Sequence, residues 1–237
     1  SPDTTSKIAF TENNSQFDEN GVQYIVNPYD EWYALVRAIE LKEKDPTVVI
    51  HLVTVGAVET EAIIRKALAL GGDEAIRVNS DEPDAFKIAN EIAQVAKEGY
   101  DLILTGKETI DYNGSCIGAM IAELLDLTYI GLATKLDTEN EKAIVTRESE
   151  GGEEKLSVTY PLVISCQKGM AEARIPNMRG IMAARTKPLK VIEAHQTDAF
   201  TSTVGFSLPP VKAGVKLIPA DTPELLVKLL REEAKAI

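Results

Sequence analysis

The first half of the chain contains short apolar runs that predict buried strands. The segment "TVVIHLVTVG" at 47–56 is almost continuously apolar, which is typical of a parallel strand covered by helices on both faces. Shorter runs at 74–78 and 100–106 predict two further strands. We expect these three strands to belong to one mostly parallel sheet.

Amphipathic segments separate these strands and predict helices at 27–44, 59–70 and 83–99. The first has Asn27 as its expected N-cap and Pro28 at its first helical position. Alternation of strands and helices predicts a doubly wound α/β fold, whose ligands bind beyond the carboxyl ends of the strands.

The second half has a different pattern. A hairpin is predicted around the polar turn "TENEK", and further β segments over 150–165 are expected to extend the sheet. Residues 194–214 have little regular pattern and predict an extended arm, which we expect to rest on a partner. The chain then ends in an amphipathic helix with Thr222 as its N-cap.

Composition narrows the possible partners. The 237 residues carry a formal charge of −12, which disfavours a nucleic-acid or anionic-membrane surface. Two cysteines without a CxxC motif and two histidines indicate neither a structural zinc site nor a disulfide framework, and they favour a reducing compartment. The sequence also predicts no membrane span and no signal peptide.

The stretch "TGKETIDYNGSCIGAMIAELL" at 105–125 leads from a strand through a small polar loop into an apolar-periodic helix. Free amides and the helix dipole make such a loop a candidate phosphate site, although small residues also open many helices for capping alone. The stretch has neither a P-loop pattern nor GxGxxG, and it therefore favours a nucleotide without a metal-bound triphosphate.

Six blocks carry a resemblance to a known family: "VNPYDEWYALVRAIELKEK", "IIRKALALGGDEAIRV", "DLILTGKETIDYNGSCIGAMIAELL", "VTRESEGGEEKLSVTYPLVIS", "EARIPNMRGIMAARTKPLKV" and "AGVKLIPADTPELLVKLL". In this order they resemble the electron-transfer flavoprotein β subunit. The resemblance implies a doubly wound sheet of the adenine-nucleotide-binding type, with a β-hairpin extension and a C-terminal arm ending in a helix. It also implies a nucleotide-binding domain over 1–190, with an arm and helix over 191–237 that pack on the partner subunit.

The resemblance implies that this chain binds AMP structurally and completes an FAD site held mostly by an α subunit in a heterodimer. Tyr29 occupies the position of an aromatic residue that approaches the isoalloxazine ring in the family. Thr4 occupies the position at which some members have a second tyrosine that contacts the flavin. The implied nucleotide-binding residues are Asn27, Pro28, Tyr29, Asp30, Asp111, Tyr112, Asn113, Gly114, Ser115, Cys116, Ile117, Gly118, Ala119 and Met120. The run "DYNGSCIG" departs from the usual family pattern, which leaves open AMP or a second FAD as occupant.

The resemblance also implies a recognition loop at 167–180 that docks acyl-CoA dehydrogenases through one protruding apolar side chain, expected to be Met170. The implied docking residues are Met170, Ala171, Glu172, Arg174 and Ile175. Electrons would pass onward to a flavoprotein-quinone oxidoreductase. The implied location is the bacterial cytoplasm, or the mitochondrial matrix in a eukaryote.

Two alternatives remain open at this point. One is a bifurcating subunit with FAD in place of AMP, and the other is a stand-alone AMP- or ATP-binding module of the universal-stress type. We expect no catalytic residue and no metal site in this chain. The sequence also lacks the central strand with which such a fold normally begins, because "SPDTTSKI" is loop-like.

Overall fold

The predicted apolar runs form strands and the amphipathic runs form helices in the computed structural model, which describes residues 1–27, 30–81, 84–109, 112–212 and 214–237. The helices are α1 (Glu31–Lys44), α2 (Glu61–Leu70), α3 (Ala85–Ala96), α4 (Ile117–Leu125), α5 (Met178–Ala184) and α6 (Pro223–Glu232). The strands are β1 (Phe10–Thr11), β2 (Gln16–Phe17), β3 (His51–Val55), β4 (Glu74–Asn79), β5 (Leu102–Gly106), β6 (Thr128–Glu139), β7 (Lys142–Ser149), β8 (Gly152–Thr159), β9 (Leu162–Cys166) and β10 (Leu189–Glu193).

The strands of the main body form two sheets. The first has the order β10-β4-β3 and is parallel throughout. The second has the order β5-β9-β6-β7-β8, in which the first three strands are parallel and the last two continue it antiparallel. Strands β1 and β2 form a separate short antiparallel pair. The predicted doubly wound, mostly parallel α/β fold is confirmed.

The two sheets are separated by a cavity of about 2170 Å³ that we call the interstrand slot. All residues of β3 and of β5 line it. Among the described strands, β3 pairs only with β4 and β5 pairs only with β9. The slot therefore lies between the edges of β3 and β5 that do not pair with another described strand.

Helices cover both faces of the sheets. Along β9, Leu162 and Ile164 belong to the same buried cluster as Ala34 of α1, whereas Val163 lies among residues of α3 and α4. Successive side chains of a strand point to opposite faces, so α1 covers one face and the α3–α4 pair covers the other. The continuous apolar runs follow from this burial on both sides.

The predicted extension of the sheet is confirmed. Strands β6 and β7 form the hairpin around "TENEK", with Asn140 and Glu141 at positive φ as a tight hairpin turn requires. Strand β8 then pairs with β7 at the edge of the sheet.

The start of α1 differs from the prediction. Its first residue is Glu31 and Asp30 occupies the N-cap position, whereas Asn27 lies in the preceding loop. The side-chain amide of Asn27 donates to Glu31 and to the carbonyl of Glu108, so it joins α1 to the loop after β5 and does not cap a helix. Pro28, predicted as the first helical residue, lies outside the described residues.

The described residues of the C-terminal arm, 194–212 and 214–222, run over the surface without regular structure. Its first part is held by the main body, and its second part exposes large apolar side chains. These are Val204, Leu208, Val211, Val215 and Leu217. Helix α6 follows with Thr222 at its N-cap position and Pro223 in its first turn, as predicted.

Candidate functional site

The candidate site lies at the carboxyl end of β5, in the loop that leads to α4. Asn113 and Ser115 have positive φ, whereas Cys116 has a right-handed helical backbone. Such alternation turns successive amides toward the same side and forms a concave group of donors. Cys116 is the N-cap residue of α4 but its side chain caps no amide, so the first turn keeps donors without an intrahelical acceptor.

Glu108 connects this loop to the start of α1. Its amide donates to Asp30 at 2.9 Å, and its carbonyl accepts from the Asn27 side chain at 2.8 Å. Its carboxylate accepts from the Ser115 hydroxyl at 3.1 Å and pairs with the Lys107 ammonium at 2.8 Å. Glu108 thus joins the loop after β5 to Asn27 and Asp30, which lie more than 75 residues earlier in the chain.

The carboxyl groups around the loop differ in their electrostatic surroundings. Burial raises the pKa of Asp30, although the Glu108 amide and Lys107 oppose this shift. Burial also raises the pKa of Glu31. Hydrogen bonds from Lys107 and Ser115 lower the pKa of Glu108. Lys107, whose own pKa is raised by its hydrogen bond to Glu108, is therefore the cation that offsets the acidic groups beside the loop.

Gly106 allows the close approach of α1 to the end of β5. A Cβ at this position would lie 2.8 Å from Cδ of Glu31 and 2.9 Å from the Glu31 backbone nitrogen. Those distances are too short for any side chain, and the backbone nitrogen cannot move aside easily. The first turn of α1 is therefore held directly against the loop.

The structure brings together six of the described residues that the sequence assigned to the nucleotide. These residues line the interstrand slot itself, and they are Asn27, Tyr112, Gly114, Ser115, Cys116 and Ile117. Asn27 also has a buried side-chain oxygen, Oδ1, with no hydrogen-bond partner among the described residues. Pro28, Tyr29 and Asp111 lie outside the described residues.

Four predicted residues have other surroundings. Gly118 is buried against β5 and β6, and a Cβ there would lie 2.7 Å from Oγ1 of Thr105. Met120 packs in the cluster between α4 and the sheet, and Ala119 is exposed on α4. Thr4 is exposed in a turn closed by a hydrogen bond from the Ser6 amide to the Asp3 carbonyl.

The arm contributes residues that the sequence pattern did not indicate. Thr201, Ser202 and Thr203 line the cavity together with Asp84. Asp84 caps α3 by accepting from the Lys87 amide, and its other oxygen accepts from the Phe200 amide and from the amide and hydroxyl of Thr201. The helix predicted at 83–99 included Asp84, whereas Asp84 is the N-cap of α3, and its contact with a residue 117 positions away has no local signal.

The predicted docking loop contains both buried and exposed apolar residues. Met170 is only 5% exposed and belongs to the core cluster that includes Ala34 and Leu136. The expectation that Met170 protrudes is therefore wrong, because its side chain fills space beneath α1. Ile175 is 89% exposed, and Arg174 beside it pairs with Glu43 at 2.6 Å. Ala171 is half-buried and Glu172 is exposed.

His51 and Arg147 both contact other side chains of the protein. His51 is partly buried and contacts the Tyr100 hydroxyl at 2.8 Å and Glu74 at 3.3 Å. Arg147 pairs with Glu154 across the β7–β8 hairpin at 2.8 Å.

Within the described ranges, no group of three or more His, Cys, Asp or Glu residues is arranged to hold a metal ion. No described helix is long and apolar enough to cross a membrane.

Fold and site together define a doubly wound α/β protein with an amide-rich polar loop at the carboxyl edge of its sheet. The sequence profile of the electron transfer flavoprotein domain matches residues 15–197. The electron transfer flavoprotein subunit beta of Bacillus subtilis is 39% identical, with 99% of this chain and 96% of that protein covered. The subunits beta of Syntrophomonas wolfei and Sus scrofa are 37% and 34% identical, with 98% and 90% of this chain and 92% and 86% of those proteins covered.

This chain belongs to the electron transfer flavoprotein β subunit family. The relatives are named as electron transfer flavoprotein subunits, which agrees with the expectation that the chain is an electron-carrier subunit.

Proposed function

We propose that this chain is the β subunit of a heterodimeric electron carrier that binds AMP in its polar loop, completes the FAD site of an α subunit and docks acyl-CoA dehydrogenases. The observation that carries the proposal is the amide-rich loop at the carboxyl edge of the sheet in a member of this family. Electrons would continue from the bound flavin to a flavoprotein-quinone oxidoreductase.

The loop has the chemistry that a nucleotide monophosphate requires. The backbone amides of residues 114–116 and the first turn of α4 are the donors for phosphate oxygens in this proposal, because the side chain of Cys116 does not cap that turn. Lys107 lies beside the loop and offsets the charge of Glu108. The buried Oδ1 of Asn27 is an acceptor without a partner among the described residues, which suits a donor group of the ligand.

The arm supports the proposed pairing with an α subunit. Val211 is 98% exposed and Val204 is 96% exposed, and further apolar side chains of the same segment are more than half exposed. Large apolar residues concentrated on one extended segment are typical of a surface that a partner covers. FAD at that interface would supply the redox chemistry, and the role of this chain would be to position and shield it.

Ile175 is the apolar side chain best placed for docking dehydrogenases. It is almost fully exposed, whereas the adjacent Arg174 holds the loop to α1 through its ion pairs with Glu43 and Glu40. An apolar side chain on an anchored loop can enter a pocket on a partner with little loss of backbone entropy. We therefore transfer the proposed anchor from Met170 to Ile175.

The test is to co-purify the chain with its α subunit, release the bound nucleotides with acid and count them by mass spectrometry. One FAD and one AMP per heterodimer are expected. Two FAD and no AMP would replace this function by that of a bifurcating subunit. Failure to form any flavin-containing complex would favour a stand-alone nucleotide-binding module.

A pair of variants tests whether AMP binds in the loop between β5 and α4. Replacing Ser115 by Pro removes a donor and prevents the positive φ, so the heterodimer should lose AMP but keep FAD. Gly152→Ala is the matched control, because Gly152 lies in β8 with open space around its Cα. Retention of AMP by the Ser115 variant would contradict the assignment.

A further inference from the structure

Residues 195–203 of the arm, which we call the strap, lie along α3 and are held at both ends by buried acidic residues. In the second half of α3, Glu91 accepts from the backbone amide of His195 at 2.8 Å and contacts the Nδ1 atom of that residue at 2.9 Å. At the N-cap of α3, Asp84 accepts from the amide of Thr201 at 2.9 Å and from its hydroxyl at 2.6 Å. Both acidic residues are only 3% exposed, and hydrogen bonds to charged groups are among the stronger ones in proteins.

Further contacts between these two ends fix the path of the strap. The side-chain amide of Asn90 donates to the hydroxyl of Thr197 at 2.9 Å, and Phe200 stacks on Phe86 with ring centroids 4.4 Å apart. Asn90 follows Phe86 by four residues, so both side chains lie on one face of α3. The strap therefore runs antiparallel to α3 and ends at the start of that helix.

The end of the strap lies on the helix next to the polar loop. Ala89 of α3 packs in one buried cluster with Ile121 and Ala122 of α4, so α3 and α4 are neighbours. Axes of packed helices lie about 8–10 Å apart. Residues 201–203 of the strap line the same cavity as residues 114–117 of the polar loop. The strap and the loop therefore border one space at the starts of two neighbouring helices.

The strap supplies hydroxyl groups that suit the ribose of a nucleotide. In the polar loop, the Ser115 hydroxyl already donates to Glu108. The hydroxyls of Ser202 and Thr203 have no hydrogen-bond partner among the described residues, and both side chains are exposed at the cavity. A hydroxyl can both donate and accept, as the ribose hydroxyls of a nucleotide do. Because the ribose is joined directly to the phosphate, a phosphate at the loop brings the ribose into the space that the strap borders.

We propose that the hydroxyls of Ser202 and Thr203 hydrogen-bond to the ribose hydroxyls of the nucleotide, and that Asp84 positions them by holding Thr201. This inference rests on the proposed binding of AMP at the polar loop and adds binding contacts from the arm. Ser202 and Thr203 are binding residues in this arrangement, whereas Asp84 and Thr201 are positioning residues. The next residue, Val204, is 96% exposed, so the nucleotide also helps to fix the point at which the exposed part of the arm leaves the main body.

The test uses the heterodimer with its α subunit, depleted of AMP and then titrated with AMP by isothermal calorimetry. Ser202→Ala and Thr203→Val each remove one hydroxyl with little change in side-chain size. Each should weaken AMP binding about three- to tenfold, which is the usual effect of losing one hydrogen bond. Ser207→Ala is the matched control and should leave the affinity unchanged, because Ser207 is an exposed residue of the same arm that does not line the cavity.

Two further measurements separate contact with the ribose from positioning. The parent heterodimer should bind 2′-deoxy-AMP or 3′-deoxy-AMP more weakly than AMP, and the variant that lacks the partner hydroxyl should lose no further affinity for that analogue. Thr201→Val should weaken AMP binding, because it removes the hydroxyl that Asp84 holds, and Thr201→Ser should restore it. In hydrogen exchange with mass spectrometry, AMP should slow amide exchange in residues 199–203 severalfold in the parent.

The outcomes distinguish this inference from the proposed function. AMP binding to the parent with unchanged affinity in both Ser202→Ala and Thr203→Val would overturn the inference and leave the proposed function standing. Equal further losses of affinity for AMP and for both deoxy analogues in these variants would also overturn it, because the hydroxyls would then act elsewhere than on the ribose. A parent heterodimer that binds no AMP would overturn the proposed function and this inference together.

Discussion

At the scale of single residues, Asp84 joins the arm to the main body. Its carboxylate accepts three hydrogen bonds from Phe200 and Thr201 and one from the amide of Lys87. The hydrogen bond from the Thr201 hydroxyl is the largest contribution that lowers the pKa of Asp84, from 3.8 to about 2. Asp84 therefore stabilises the folded chain only while it is ionised.

Replacing Asp84 by Asn should destabilise the chain by about 1–3 kcal/mol at pH 7. The NH₂ group of the Asn side chain is a donor, and it would face N–H or O–H donors of the arm or of α3 where Asp84 has an acceptor. The pKa is lowered on folding, so the contribution is complete above about pH 5 and is lost as the pH falls toward 2. Urea unfolding of the parent chain and of the Asp84→Asn variant between pH 7 and pH 3 measures the difference in their free energies of unfolding. This difference should become smaller as the pH falls.

Asp45→Asn is the control for this change. Asp45 accepts from the amide and hydroxyl of Thr47, two residues further along the chain, in an exposed turn. Asp45→Asn should lower the free energy of unfolding clearly less than Asp84→Asn does at pH 7. A pH-independent difference between Asp84→Asn and the parent chain would contradict the assignment to an ionised carboxylate.

Met170 and Ile175 should have opposite roles. Met170→Ala should destabilise the chain by about 2–5 kcal/mol, since it leaves a cavity in a core cluster. Ile175→Ala should leave the free energy of unfolding unchanged but weaken docking to an acyl-CoA dehydrogenase severalfold, because Ile175 is exposed. Chemical denaturation and steady-state KM for the carrier separate the two effects. A stability loss in the Ile175 variant comparable to that of Met170→Ala would show that the loop is packed differently.

At the scale of elements, the site depends on the close packing of α4 against β5 and β6. Gly118 permits this packing, because a Cβ there would meet Oγ1 of Thr105 at 2.7 Å and the ring of Tyr129 at 3.1 Å. A displaced α4 would move the loop that precedes it. The glycine therefore contributes to the site through the position of the helix and not through contact with a ligand.

Gly118→Ala should destabilise the chain by about 1–3 kcal/mol and weaken nucleotide binding, because α4 must shift away from the sheet. Thermal unfolding and titration of AMP into the heterodimer measure the two quantities. Gly152→Ala, which meets nothing within 4 Å, should leave both unchanged. Unaltered AMP affinity in the Gly118 variant would mean that the loop is positioned independently of α4.

The sequence patterns predicted helices and strands more accurately than they predicted the contacts between these elements. The strand predicted at 100–106 and the terminal helix with Thr222 at its N-cap position were found, because apolar period and Pro223 are local signals. Strand β10 was missed. Its residues are partly exposed at the edge of the sheet, and "LKVIE" contains two charges that weaken an apolar pattern. Helix α5 was also missed, although Asn177 caps it by accepting from the Gly180 amide.

At the scale of the whole molecule, the arm divides into a held part and an exposed part. His195 and Thr201 are joined to α3 and its cap through Glu91 and Asp84, and Phe200 stacks on Phe86 with ring centroids 4.4 Å apart. Beyond residue 206, the described residues expose most of their apolar side chains. This second part packs little of its surface on the main body.

Deleting residues 207–237 should therefore leave the melting temperature of the isolated chain within a few degrees of its original value but abolish the complex with an α subunit. Differential scanning calorimetry and co-purification test the two expectations. A substitution of Val211 by Ser is a milder control that should weaken the complex without removing it. An unaffected complex after the deletion would remove the arm from the proposed interface.

The sequence by itself determined the α/β class, the polar loop between β5 and α4 and the family, because apolar period, turn residues and ordered blocks are local properties of the chain. Only the tertiary structure decided that Glu108 joins Asn27 and Asp30 to Ser115. It also decided that Met170 is buried while Ile175 protrudes. Burial and long-range hydrogen bonds depend on which distant segments meet, and that information has no local pattern.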